Sequence, residues 1–245
     1  MKIEGVGIAR AGKEWSWSYS KLKNYEVCPR KHYEVDLAKT YVETQDDDPD
    51  SALNYGNRVH AALAAALKGT AKLPIEFSHY QKWVDLVLSG PGELFVEQKY
   101  AINRNFEATK YFANDVWVRM IGDVVRIDKP FTDRHGKRYR LALVLDWKTG
   151  KILEDSVQLM LMAQALFSHF PDLTHVRSEF VWLKDECTTP ELFTREEVAS
   201  AWTGLLARVH SLENAHSTQN YPAKPGRLCK KYCPVASCPY FRKGA

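Results

Sequence analysis

The sequence predicts an α/β fold with a central mixed β-sheet flanked by helices, and three observations carry that prediction. The hydrophobic period changes from helical to alternating after Gly90-Pro91-Gly92 and returns to helical at Val157. The resulting order is helix, strand, strand, strand, helix, strand, with helical flanks, which places helices around a sheet. The length of 245 residues, with 45% hydrophobic content, suits one large domain. A chain of that size buries roughly 70% of its unfolded surface and needs no disulfides for a core. The expected organisation is a single domain over 1–245, with a core at 51–213 and flanking segments at 16–50 and 214–245.

The elements follow in order. Ser16-Trp17-Ser18-Tyr19-Ser20 is a helix cap ahead of Leu22, Tyr25 and Val27, and Cys28-Pro29 ends that helix. Arg30, Lys31 and His32 form a basic step, and Gln45 to Asp50 reads as an acidic surface loop. Leu53 to Lys68 is a helix carrying His60, closed by Gly69. Ser78 to Leu88 is a second helix. Leu94 to Glu97, Val116 to Ile127 and Leu141 to Trp147 read as strands, the last two joined as a hairpin by Asp128 to Arg140. Val157 to Phe170 is apolar enough to be a largely buried helix, and Thr174 to Leu183 is another strand. Thr194-Arg195-Glu196-Glu197 is a capping box for an amphipathic helix with Val198, Trp202, Leu205, Val209 and Leu212 on one face. After about Glu213 the chain is expected to be irregular.

Composition excludes disorder, collagen and coiled coil. No apolar run approaches the roughly 18 to 20 residues of a bilayer helix, and Met1 to Arg10 lacks a signal-peptide core, so the expectation is a cytoplasmic protein with no membrane partner. The net charge of +4 permits an anionic partner without demanding one.

The densest chemical constellation is Leu143-Val144-Leu145-Asp146-Trp147-Lys148-Thr149-Gly150. Period-two geometry puts Asp146 and Lys148 on one face of a strand end. A carboxylate that holds a divalent ion, beside an ammonium that supports attacking water, suits phosphodiester hydrolysis. Asp123, after Gly122, sits in an equally apolar strand, where a carboxylate is costly unless paired or ligating metal. Asp123 and Asp146 would offer two carboxylates to one Mg2+ or Mn2+, His60 a nitrogen and Trp147 its carbonyl. Lys148 would position or activate water, and Gln158 would contact the nucleotide. Each has a plainer reading: a surface ion pair, a satisfied core histidine, a polar helix patch.

In their order these pieces resemble the PD-(D/E)XK nuclease superfamily, specifically its RecB-like exonuclease branch. Gly56-Asn57-Arg58-Val59-His60 is similar to that branch's G-x-x-x-H helix, and Gly122-Asp123 to its first acidic strand. Asp146-Trp147-Lys148-Thr149-Gly150 is similar to its D-x-K-T-G strand, and Gln158 to the start of its Q-x-x-x-Y helix. The resemblance spans Ser16 to Tyr240. It implies a restriction-endonuclease-like core and a Mg2+- or Mn2+-dependent deoxyribonuclease, an exonuclease on single strands or duplex ends. It also implies service in recombination, repair or phage DNA processing beside a helicase, recombinase or other DNA-processing protein. A non-catalytic nucleic-acid-binding subunit and an endonuclease are the alternatives. The pattern departs from the family in three places. Asp123 is adjacent to its glycine, taken as a shift of one pleat onto the face of Val125, with Asp128 as the fallback ligand. Met162 replaces the tyrosine of Q-x-x-x-Y, and Glu97 is a possible supporting ligand or a strand-end ion pair.

Five cysteines in a chain without a secretion signal argue against a disulfide framework. Cys229, Cys233 and Cys238 cluster near the end, Cys28 is remote, and Cys187 stands alone. His210 or His216 would complete a zinc site with the clustered three. The resemblance instead implies that Cys28 joins Cys229, Cys233 and Cys238 around a 4Fe-4S cluster that staples the chain's ends, four thiolates being its ordinary ligand set. Lys224, Arg227, Lys230, Lys231, Arg242 and Lys243 would suit a phosphate-tracking surface on this segment, with plain solvation as the alternative, and Trp147 and Tyr232 are candidates for stacking on bases, with packing as their default.

Overall fold

The computed structural model describes residues 15–42, 51–152 and 155–243. The loop predicted over Gln45 to Asp50 and the N-terminal stretch Met1 to Arg10 lie outside the described residues. The chain opens with helix α1 (Tyr19–Val27), capped by the Ser18 hydroxyl accepting from Lys21 N–H. Cys28 separates it from the short α2 (Pro29–His32), and a π-helical turn continues to Leu37. Helix α3 (Ala52–Leu67) carries His60. A 3-10 turn (Ile75–Tyr80) then leads into α4 (Gln81–Ser89), so the second predicted helix is shorter than its periodicity implied.

The strands are β1 (Glu93–Ile102), β2 (Ala108–Thr109), β3 (Val118–Ile127), β4 (Phe131–Thr132), β5 (Arg138–Tyr139), β6 (Leu141–Lys148), β7 (His175–Trp182) and β8 (Cys187–Phe193). Helix α5 (Val157–His169) precedes β7. Helix α6 (Arg195–Thr218) has the predicted reciprocal capping box of Thr194 and Glu197 but runs five residues past Glu213, where irregular chain was expected. It ends at Gln219 in the left-handed region. Helix α7 (Leu228–Lys231) is a single turn in the cysteine segment.

Six strands form one sheet in the order β2-β1-β3-β6-β7-β8, with β4 and β5 as a small separate pair in the β3–β6 connection. Only β6 and β7 run parallel, and α5 makes the crossover that parallel pairing demands. The sheet is therefore mixed and helix-flanked, as predicted. Two differences come from pairing that periodicity does not report. Strand β1 extends five residues beyond Glu97 to pair with β3, and β8, polar and exposed along most of its length, is recruited as an antiparallel edge.

Two apolar layers sandwich the sheet. On one face α5 and α6 pack Leu159, Leu166, Trp202 and Leu205 against Val125, Val144 and Phe180. On the other, α3 and α4 pack Val59, Leu63 and Val84 against Val124, Leu145 and Trp147. No helix among the described residues is long and apolar enough to cross a membrane.

Candidate active site

The site forms where the ladder between β3 and β6 opens. Their paired register ends at Val124–Leu145. Beyond it the Asp123 carboxylate takes the place of a backbone acceptor and receives the Trp147 N–H at 3.0 Å.

Strict alternation fails beside this opening, on β3 and on β1, its neighbour on the side away from β6. Along β3, Met120 and Val125 lie in the α5-side core while Val124 lies in the α3-side core. Along β1, Val96 packs on the α3 side, whereas Tyr100 and Ile102 belong to the α5 side. Both parities switch across one opposed pair, Glu97 and Asp123, which is missing from an otherwise continuous β1–β3 register. Glu97 has φ +56°, a conformation rare for a residue with a side chain and costly enough to mark a functional position. Each strand spends the same number of residues, so the ladder stays in register while both carboxylates turn toward α3. Asp123 and Val125 thus do not share a face, contrary to the one-pleat expectation.

On the α3 side, His60 Nδ1 lies 3.3 Å from Asp123 Oδ2, and its ring is also hydrogen-bonded to the Trp147 backbone. One ligand atom each from His60, Glu97 and Asp123 come within 4.8 Å of one another, an oxygen–nitrogen set able to hold a divalent cation. The approach of α3 is close: a Cβ on Gly56 would sit 3.0 Å from Thr149 Oγ1, so a glycine suits the helix turn beside the strand end.

On the α5 side, Lys148 Nζ donates to Asp146 at 2.9 Å and to Gln158 Oε1 at 3.1 Å, and it stands 4.8 Å from the Phe180 ring centroid. Gln158 Nε2 donates to the Asp146 carboxylate, closing a triangle of acid, ammonium and amide. Met162 lies over Gly122, where an added Cβ would meet Met162 Cε at 2.9 Å and Val125 Cγ2 at 2.8 Å. The residue that replaces the expected tyrosine thus packs on the glycine strand.

The two halves feel each other's charge. Burial pushes the Asp146 carboxyl up to about 6, with Lys148 opposing that rise and Asp123 reinforcing it. Burial and the neighbouring Asp123 also raise Glu97. For His60, burial works against the imidazolium, yet the hydrogen bond and charge of Asp123, the charge of Asp146 and the Trp147 carbonyl together raise it. A crowd of carboxylates held toward protonation is what a divalent cation relieves.

The sequence-predicted residues thus divide. His60, Asp123 and the Trp147 backbone come together on one side of the opening, and Asp146, Lys148 and Gln158 on the other. Glu97 belongs with the first group; its αL backbone was invisible in the sequence, and its only signal was an acid ending an apolar run. Asp128 lies past the end of β3, five residues from Asp123, where its carbonyl accepts from Arg140. The Trp147 side chain is buried in the α3-side core, so it packs and does not stack on bases. Tyr232 is 62% exposed.

The four predicted cysteines line one small cavity, shared with Val235 and Tyr240. Lys224 N–H and Gly226 N–H donate to the sulfurs of Cys28 and Cys229, each at 3.4 Å, and the Val235 backbone to that of Cys233. His216 is engaged by Trp15 and Tyr221, and neither it nor His210 lines the cavity. Cys187 is exposed at the start of β8.

No curated protein matches the chain. Among solved structures, one described as "Crystal structure of SSO0001" is similar at 10% identity and a TM-score of 0.41, covering 95% of this chain and 89% of that one. The profile of the PD-(D/E)XK nuclease superfamily matches residues 16–239. An opened mixed sheet bearing acids and an Asp-x-Lys strand, matched over nearly its whole length, belongs to the PD-(D/E)XK nuclease superfamily.

Proposed function

We propose that the protein is a Mg2+- or Mn2+-dependent DNA exonuclease of the RecB-like branch, acting on single strands or duplex ends. Superfamily membership supports a metal-dependent nuclease acting on DNA. The observation that carries the residue assignment is the His60–Glu97–Asp123 group beside the Asp146–Lys148–Gln158 triangle. His60, Asp123 and the Trp147 carbonyl, supported by Glu97 and joined by Asp146, would hold the cation. The donor set is hard oxygen plus one imidazole, and Glu97 occupies a strained backbone that aims its carboxylate inward. When bound, the cation supplies Lewis acidity at a phosphate oxygen and lowers the pKa of a water.

The chain's own groups do the rest. Lys148, held by two acceptors, orients the attacking water and offsets charge gathering on the phosphate. Were Asp146 to ligate a bound cation, the Gln158 amide that now donates to it would be free to donate to the nucleotide. The opening of the β3–β6 ladder gives one phosphate access to groups on both faces.

The cysteine segment fits a second group. The single domain over 1–245 would comprise a catalytic core at 51–213 and a clasp formed by 16–50 and 214–245. Cys28, Cys229, Cys233 and Cys238 would hold a 4Fe-4S cluster. Four thiols round one cavity and three backbone N–H groups aimed at sulfur support this reading.

The test is cleavage of end-labelled single- and double-stranded DNA with Mg2+, Mn2+ or EDTA. Expected are mononucleotide or short products, abolition by EDTA, and a loss of about a thousandfold in Lys148→Ala, the scale of removing one preorganised charge-stabilising donor. Full activity in Lys148→Ala would overturn the assignment, and discrete fragments from circular DNA would replace exonuclease with endonuclease.

A further inference from the structure

A trough on the α5 face starts at the active site and is not used by the chemistry above. Its first part is a cleft of about 310 Å³, at the lower end of ligand-site size. Gln158 stands at one end, Leu161 and Met162 form the floor, and Ser18 and Ser20 at the start of α1 face Tyr111 and Arg119 across it. The second part, about 510 Å³, begins on the far side of Tyr111 and continues past Lys99 and Lys110 to Phe170, beyond the end of α5. The two parts share Tyr111 and meet opposite ends of α5, Gln158 to Met162 in the first and His169 in the second, on a helix about 20 Å long at 1.5 Å per residue.

Two features of the lining, and one side chain beside it, point to a ligand. Its charged residues are Arg119, Lys99 and Lys110, with no carboxylate among them. Tyr111, at the junction, is fixed at both ends. Arg119 Nε donates to its carbonyl at 2.7 Å, while Arg119 and Lys99 stand 5.6 Å and 5.5 Å from its ring centroid. Phe112 is 72% exposed, with its ring 5.0 Å from that of Tyr111 at 84°, and Lys99 5.6 Å from it. An aromatic side chain displayed to water, next to a second ring braced by cations, gives up hydrophobic burial without return unless something covers it. Aromatic faces interleaved with cations are what a single nucleic-acid strand uses: bases stack on the rings and phosphates meet the ammonium groups.

We infer that this trough is the track of the single DNA strand that enters or leaves the active site. The nucleotide beside the scissile phosphate sits in the cleft at Gln158, the next base stacks on Tyr111 and Phe112, and the phosphate beyond it meets Lys99 and Lys110. The inference rests on the nuclease reading and narrows its substrate: rings interleaved with cations suit the unpaired bases and phosphates of one strand. Duplex ends would then have to fray before reaching the site. Tyr111 and Phe112 are strand-positioning residues.

The experiment measures binding of a fluorescent oligothymidylate of about twelve nucleotides, within the usual site size of such surfaces, in Ca2+ and over a salt series. Phe112→Ala should weaken binding by about tenfold and Phe112→Trp should restore it, a rescue that loss of folding would not give. Lys99→Glu should lessen the salt dependence by about one phosphate contact. Photocrosslinking of an iodouridine-substituted strand should map to Tyr111 or Phe112. If the wild-type protein binds and cleaves the strand while Phe112→Ala and Lys99→Glu leave affinity, salt slope and crosslink site untouched, the track is wrong and the nuclease reading stands. If the wild type neither binds nor cleaves DNA, both fall together.

Discussion

The sheet opening and the cysteine segment are held in opposite ways. Around the opening every functional side chain rests on an element with its own apolar packing: α3 through Val59 and Leu63, β6 through Val144 and Leu145, and α5 through eight buried residues. From Tyr221 to Lys243 the structure is one helical turn with no buried residue, and Val235 is the sole buried apolar side chain in that stretch. What ties it down is polar and sparse: Lys224 Nζ on the Glu26 carbonyl, Ser237 N–H on Tyr41, Arg242 N–H on the Cys229 carbonyl, and the Tyr33–Tyr221 ring contact. Burying one large apolar side chain is worth about 1.5–3 kcal/mol, and a net hydrogen bond about 1 kcal/mol. The catalytic frame can therefore form without a metal, whereas the proposed clasp would depend on bonds to its cysteines.

The sharpest way to break this contrast is to remove the clasp's ligands. Cys28→Ser, or removal of the bound group by a chelator under air, should strip hydrogen-exchange protection from 221–243 while β3, β6 and α5 keep theirs. The local cost should reach several kcal/mol, as for other metal-stapled segments. Equal loss of protection in β6 would show that the clasp supports the whole domain.

A smaller effect probes the packed side of the comparison. Gly122→Ala inserts a methyl group against Val125 and Met162 in the layer beneath the site. Overpacking of this kind costs typically about 1–3 kcal/mol. Urea denaturation should show that loss, and a change below about 0.5 kcal/mol, the ordinary scatter of surface substitutions, would mean that the layer is looser than the contacts indicate.

The smallest effect is a slope. Asp146 has its carboxyl raised from 3.8 to about 6, so the metal-free fold favours the protonated acid and loses stability as pH rises between those values. His60 is raised above 6.5, so its stabilising contribution is present below that value and disappears as pH climbs past its folded-state value. Both act with the same sign. In EDTA the melting temperature of the wild type should fall from about pH 4 to pH 7, and Asp146→Asn should flatten the lower part of that fall. Divalent metal should reverse the trend, since ionised carboxylates are what it binds. A wild-type melting temperature that rises over this range in EDTA would contradict the site's electrostatics.

Much of the site was legible because its chemistry is local in sequence. Asp146 and Lys148 needed only period two along one strand, and Gln158 only the short connection to the next helix. His60 was readable because Gly56 and the histidine lie one helical turn apart. The nearness of Glu97 to Asp123 and the face that Asp123 takes are not legible in the sequence for one shared reason: the paired switch in β1 and β3 belongs to neither strand alone. For Trp147 the plainer packing reading holds, because period two sends it to the face opposite Asp146 and Lys148, into the core. The trough was hidden as well, since Tyr111 and Phe112 sit in a connection with no motif.

By itself the sequence determined the α/β class, the positions of α3, β6 and α5, the Asp-x-Lys pair and the four cysteines that meet. These follow from spacing within one element, or from residue types whose chemistry leaves few uses. Tertiary structure alone decided where the β3–β6 ladder opens, that Glu97 turns inward beside Asp123, and that Tyr111, with the exposed Phe112 beside it, lines a cleft beginning at Gln158. Those depend on which strands become neighbours and on a strained backbone that only the surrounding packing can hold, and no periodicity along one segment records either.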